Sequence, residues 1–305
     1  MKGLDMESIG QKITPFLWFE DQSEEAVHFY VDTFENSEVI SLERYREGPL
    51  QGKVLTIVFQ LEGQQFMALD GGPEFQFTPA LSFFVHCDTE KKIDGLYEKL
   101  SDGGAVLMPL DKYPFGEKYA WVQDKFGVSW QLMLDSDPKQ KIMPSVMFIG
   151  DRSGSAKEAS EFYTDLFNHS EILFLSYYDE EDQAHDGKVA HGRFMLEGET
   201  FVIMDSIIEH SFPMTSAISF YVNCEDQQEV DKFWEKLSTG GEIQKCGWLT
   251  DKYGVTWQII PKALPKMLND PDQEKAKRAM DSMLTMKKID IETIEQAYEG
   301  QKVPS

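Results

Sequence analysis

His191 and Arg193 stand two residues apart in AHGRFML, where Phe194 and Leu196 alternate with them. In a strand, alternate side chains share a face, so His191, Arg193 and Met195 would oppose Phe194 and Leu196. Asp205 ends the next apolar run, and Gln258 lies in TWQII further on. One cavity could thus gather imidazole, guanidinium, carboxylate and amide. A histidine oriented by a carboxylate can act as a general base, and an arginine beside it can hold an anionic or enolate oxygen. The same spacing also fits an exposed β-hairpin with both side chains in water. A second group of candidates comes from alternation in other apolar runs. It puts Phe16 and Trp18, Phe66 and Asp70, Phe83, and Gln131 on one concave face, a mostly apolar pocket with few polar groups. Trp18 could stack on a planar ligand or pack in the core. Gln131 and Gln258 could bind ligand or satisfy neighbouring backbone. A strand-end aspartate such as Asp70 or Asp205 also suits a structural role at a turn.

These residues recur because the chain repeats itself. Ser82–Gly104 and Ser219–Gly241 share eleven of twenty-three positions without a gap. GKVLTIVFQLEGQQF (52–66) returns as GKVAHGRFMLEGETF (187–201), and DKFGVSWQLM (124–133) as DKYGVTWQII (251–260). Collinear blocks of this kind are a tandem duplication. We read an N-terminal extension over 1–11, a first module over 12–135, a linker over 136–141, a second module over 142–261 and a helical tail over 262–305. Each module reads as two β-α-β-β-β units, so the fold class is α+β with mainly antiparallel sheets. Capping-box spacing at Asp21/Glu24 and Ser155/Glu158 marks helix starts, and Asp270–Pro271 and Asp290 mark the tail helices. Sixteen residues separate Gly104 from Trp121 but six separate Gly241 from Trp248, so the first module carries about ten extra residues, an expected lid or edge loop.

Composition narrows the function. Twenty-nine Lys and Arg against fifty-three Asp and Glu give a net charge of −24, which excludes a non-specific nucleic-acid surface and disfavours anionic membranes. No apolar run is long enough for a membrane helix. Three cysteines, two of them equivalent (Cys87 and Cys224), suit a reducing cytoplasm and a core role. His28, His86, His169, His185 and His210 show no ligand spacing, and DEEDQAHD (179–186) reads as a solvated hairpin tip.

The paired β-α-β-β-β units resemble the vicinal oxygen chelate superfamily of glyoxalase I, extradiol dioxygenases and bleomycin-resistance proteins. ITPFLWFED with the following A-x-x-F-Y helix, GKV…F-x-LEG-x-x-F…D, and D-K-[FY]-G-V-x-W-Q look like its PhnB-like group, labelled 3-demethylubiquinone-9 3-methyltransferase. The resemblance implies metal ligands, typically His, Glu, His and Glu, on the first, fourth, fifth and eighth strands of a module. Motif alignment puts Thr14, Ala68, Leu81 and Gln131 there in the first repeat, and Met143, Ile203, Ile218 and Gln258 in the second. None is a histidine or carboxylate, so we expect no metal and no cofactor. No strand–Gly-rich loop–helix unit for S-adenosylmethionine is evident, which leaves methyl transfer as a reading by label only. Three readings stay open: a metal-independent binder of a small apolar or aromatic molecule, a metal-independent enzyme using His191, Arg193 and Asp205, and a regulatory or scaffold protein. A monomeric pseudo-dimer is expected, with a homodimer as the alternative.

Overall fold

The structure, a computed structural model of the chain, describes residues 10–45, 48, 50–135, 140–178 and 187–301. The first nine residues, the central linker residues 136–139 and the acidic run 179–186 with His185 lie outside the described residues. The elements run β1 (Ile13–Phe19), α1 (Ser23–Thr33), β2 (Glu38–Arg44), β3 (Val54–Leu61), β4 (Gln64–Asp70), β5 (Leu81–Cys87), α2 (Glu90–Ser101), β6 (Ala105–Tyr113), β7 (Gly116–Gln123) and β8 (Ser129–Leu134). The second repeat supplies β9 (Ile142–Phe148), α3 (Ala156–Leu166), β10 (Glu171–Tyr177), β11 (Val189–Leu196), β12 (Glu199–Asp205), β13 (Ile218–Cys224), α4 (Gln227–Ser238), β14 (Glu242–Ile243), β15 (Trp248–Thr250) and β16 (Thr256–Pro261). The tail adds α5 (Ala263–Leu268), α6 (Gln273–Thr285) and α7 (Ile291–Tyr298). The fold is α+β.

Two compact units form, and they cut across the repeat: Pro15–Ile218 is one, and the residues up to Thr14 with Ser219–Ser305 are the other. The first unit contains an eight-stranded mixed sheet in the order β10-β11-β12-β9-β5-β8-β7-β6. Its halves come from different repeats. They join where β5 pairs antiparallel with β9, Phe84 opposite Met143 and Ser82 opposite Ser145. Each half keeps one parallel pair, β5–β8 and β12–β9. The same unit holds the ladder β1-β4-β3-β2.

Its core is aromatic. Phe83 packs on Phe66 and Trp130, and Trp130 meets Tyr30 and Phe34 at the α1 end. Buried Asp124 accepts hydrogen bonds from Tyr30 Oη and Trp130 Nε1, both at 2.8 Å, which satisfies two polar groups that burial would otherwise penalise. In the second repeat Tyr163 of α3 stacks on Phe194 of β11.

The helix starts differ from the capping boxes read in the sequence. Gln22 and Ser155 hold the N-cap positions, and neither side chain caps. A carboxylate from a neighbouring strand does so instead. Asp70 accepts from the Ser23 and Val54 backbone N–H groups at 2.9 and 3.0 Å. Asp205 accepts from Gly154, Ala156 and Val189 at 2.7, 3.1 and 2.8 Å. Each carboxylate meets orphan donors at a helix N-terminus, where the dipole also favours negative charge.

In the other unit β13 pairs parallel with β16, and β15 joins β16 to a two-residue β14. This short hairpin is where the second repeat lacks the first one's extra residues. The tail covers it: Cys246 and Gly247 donate backbone hydrogen bonds to Met286 and Lys287 carbonyls, and Ile289 and Ile294 are fully buried. Asp290 caps α7 through the Thr293 N–H. The N-cap of α6 is Asp272 rather than Asp270; Asp270 receives hydrogen bonds from the Asp272 N–H and Tyr298 Oη, outside the helix. Among the described residues no helix is long and apolar enough to cross a membrane.

Candidate functional site

The eight-stranded sheet has two unlike faces. One carries Phe83, Trp130 and Phe194 to α1 and α3, as above. The other carries a separate apolar cluster: Phe84, Tyr119, Met143 and Val202, with Met108, Tyr113, Trp121, Met133 and Met204 packed against it. That face is concave. Strands β11 and β5 are three strand spacings apart, about 14 Å in a flat sheet, yet the His191 and Phe84 rings are 5.9 Å centre to centre. The extra residues of the first repeat lengthen β6 and β7 into an edge hairpin. At its tip Tyr113 and Phe115 stack on each other and meet Tyr119 edge-on, 5.7 and 5.0 Å between centroids.

Two polar clusters interrupt this surface. In the first, Gln131 accepts from Tyr119 Oη at 2.6 Å and its amide donates to Ser82 and Ser145 Oγ at 2.9 and 3.4 Å. Strands from both repeats contribute. In the second, Arg193 donates from Nη2 to His86 Nε2 at 3.1 Å, and His86 Nδ1 lies 2.9 Å from the Asp135 carboxylate. An arginine only donates, so Nε2 must be the acceptor and Nδ1 carries the proton. Burial, with the nearby Arg193 charge, lowers His86 to about 4 against the opposing pull of Asp135. Burial, then Arg193 and His86, lower His191 to about 4. Both imidazoles are therefore neutral at pH 7, and Arg193 carries the charge. Burial lowers the guanidinium's own affinity for its proton, and Asp135 partly offsets this. The Arg193 Nε is buried with no hydrogen-bond partner, and its guanidinium carbon sits 5.9 Å from the Phe174 ring centre.

The structure thus brings His191, Arg193 and Gln131 to one concave face, but not with the residues the sequence suggested. Asp205 lies at the α3 start, tied to three backbone donors, and cannot orient His191. Gln258 belongs to the other unit, where its amide donates to Ser219 Oγ at 2.9 Å. Asp70 holds the α1 start rather than a ligand position. Phe66 and Phe83 are fully buried on the helix-packed side, opposite the face expected. Strand β5 is buried along its whole length, so polarity gave no phase to its alternation. Phe16 is buried within β1. Trp18 lines a different place, a cleft of about 350 Å³ with Phe75, Phe77, Phe126 and Lys125, and its Nε1 donates to the Gly72 carbonyl. His86, Asp135, Tyr119 and Phe84 were missed. His86 has no short-range motif, and only the β5–β9 junction carries it to Arg193.

The metal implied by the resemblance can be tested on these donors. The polar groups at the centre of the face are an amide and hydroxyls, and both amide atoms of Gln131 are engaged. Hard divalent cations need carboxylate, imidazole or free oxygen ligands. Among the described residues no group of three or more His, Cys, Asp or Glu could hold a metal ion. The donor set does not fit one. The buried thiols offer no nucleophile, since burial raises Cys87 and Cys224 to about 12.

Tandem β-α-β-β-β modules building such sheets have the fold of two-module glyoxalase I. A family model described as 3-demethylubiquinone-9 3-methyltransferase matches residues 11–133 and again 140–260, and the chain belongs to that family. A Bacillus cereus PhnB protein carrying the same description is 50 % identical over 41 % of this chain and 100 % of its own (TM-score 0.40). A Staphylococcus aureus protein of known structure is 43 % identical over 41 % of this chain and 96 % of its own (TM-score 0.19). Glyoxalase I from Zea mays is similar in fold, 14 % identical over 80 % of this chain and 89 % of its own (TM-score 0.52). No curated protein matches in sequence.

Proposed function

We propose that the concave face of the eight-stranded sheet binds a small apolar or aromatic molecule. The observation that supports this is the second apolar cluster, separate from the helix-packed core, in which Phe84, Tyr119, Trp121, Met133, Met143 and Met204 gather beside the partly buried corner of Arg193 and His86. Aromatic rings supply large contact area, and methionines adapt to the shape of an occupant. A few fixed polar groups then orient it. His191, Arg193 and Gln131 keep their candidate roles here, joined by His86, while Phe16, Trp18 and Gln258 play no part in this site.

Methionine methyl groups report directly on the face. In protein labelled with [¹³C]methyl-methionine, titration with phenol, indole or benzoate should shift the Met133, Met143 and Met204 resonances saturably. Saturable shifts confined to other methionines, or none with any of the three, would overturn the proposal.

A second reading, proton transfer, is favoured by the Asp135–His86 pair. Its imidazole has the tautomer of a general base, but Nε2 is covered by Arg193, so turnover would require the guanidinium to move. His86→Gln should then abolish turnover of a bound substrate while leaving its affinity within about threefold.

A further inference from the structure

We infer that the occupant of the concave face carries an oxyanion, a carboxylate in the simplest case, which pairs with Arg193. The inference rests on the binding role proposed above and adds the chemical class of the ligand. Arg193 is flanked across the sheet by Val202 of β12 and Phe174 of β10, both apolar. Its one hydrogen-bonding partner among the described residues is the neutral ring of His86. The one carboxylate in the cluster, Asp135, is engaged by the far side of that ring, 2.9 Å from Nδ1. The Nε–H is buried and unpaired. A partly buried charge whose nearby carboxylate offsets only part of its desolvation is costly, and a buried donor without an acceptor adds to that cost. An acceptor of negative charge on the ligand relieves both at once.

The neighbouring groups select in the same direction. His191, neutral and 5.5 Å from the Phe174 ring, adds no competing charge. His86 is a positioning residue: its accepting Nε2 holds one arm of the guanidinium and leaves the Nε edge available, while its Nδ1 lies 2.9 Å from the Asp135 carboxylate. Guanidinium and carboxylate match as a fork, so the edge suits a planar oxyanion. With Phe84 and Tyr119 beside this corner, an aromatic ring bearing a carboxylate is complementary to both parts of the face.

Benzoate and benzamide separate charge from shape. In the intact chain labelled on methionine methyls, benzoate should bind at least about tenfold more tightly than benzamide, the difference expected of one charge-assisted pair. In Arg193→Met, and in Arg193→Gln should the first fold poorly, the two should bind within about twofold of each other. His86→Asn should lower the preference for benzoate over benzamide. Equal affinities in the intact chain would overturn the oxyanion inference and leave the apolar binding role standing. A benzoate preference that survives both Arg193 variants would likewise overturn it. Failure of both compounds to shift any methyl on this face would overturn the inference, and failure of phenol and indole as well would overturn the binding role itself.

Discussion

Arg193 has donors and no acceptor, and that asymmetry fixes the protonation of its surroundings. His86 must accept at Nε2, which leaves its proton on Nδ1, 2.9 Å from the Asp135 carboxylate. Both His86 and His191 are held near 4, well below the 6.5 of an unfolded chain. The unfolded state therefore binds these protons first. The stability from the two neutral rings is complete above about pH 6.5 and is lost as pH falls towards about 4. Asp124 acts oppositely: burial lifts its carboxyl to about 6, so its cost is smallest at acid pH. Imidazole Cε1 resonances resolve the two effects. Those of His86 and His191 should stay flat from pH 8 to 5.5, and a midpoint near 6.5 for either ring would contradict the neutral pair. Much of this was beyond a sequence reading. Alternation correctly pairs His191 with Arg193, because Phe194 and Leu196 mark the other face. It gives no hint of His86, 107 positions away along the chain.

Elements and their joints were legible to different degrees. Strands, helices and their duplication follow from local apolar periodicity and repeated motifs. Strand phase fails where both faces are buried, as in β5, and so alternation does not place Phe83. Caps fail where the acceptor arrives from elsewhere. Asp21 and Ser155 have the right spacing, but Asp70 and Asp205 reach the helix starts first. This assigns Asp205 a structural task that a stability measurement can check. Asp205→Ala leaves three backbone donors unsatisfied and should cost about 3 kcal/mol in chemical denaturation. Asp205→Asn, which keeps one acceptor, should cost less. Neither should change benzoate affinity at a temperature where the variant is folded. A selective loss of binding with unchanged stability would return Asp205 to the site.

At the scale of the molecule, the β5–β9 ladder means that neither repeat contains all the strands of the eight-stranded sheet. A fragment of residues 12–135 leaves the β5 edge without its partner, and unpaired edges associate. We expect that fragment to dimerise and the intact chain to stay monomeric in light scattering; a stable monomeric fragment would count against this. The junction has another consequence, for how such a protein can change. Two identical chains sharing a symmetric sheet must carry every substitution twice. Here the positions equivalent to His191 and Arg193 are Thr56 and Val58, so the ionic corner exists in one copy and not in the other. Selection can act on the two copies separately, and a substitution harmful in one need not be harmful in the other.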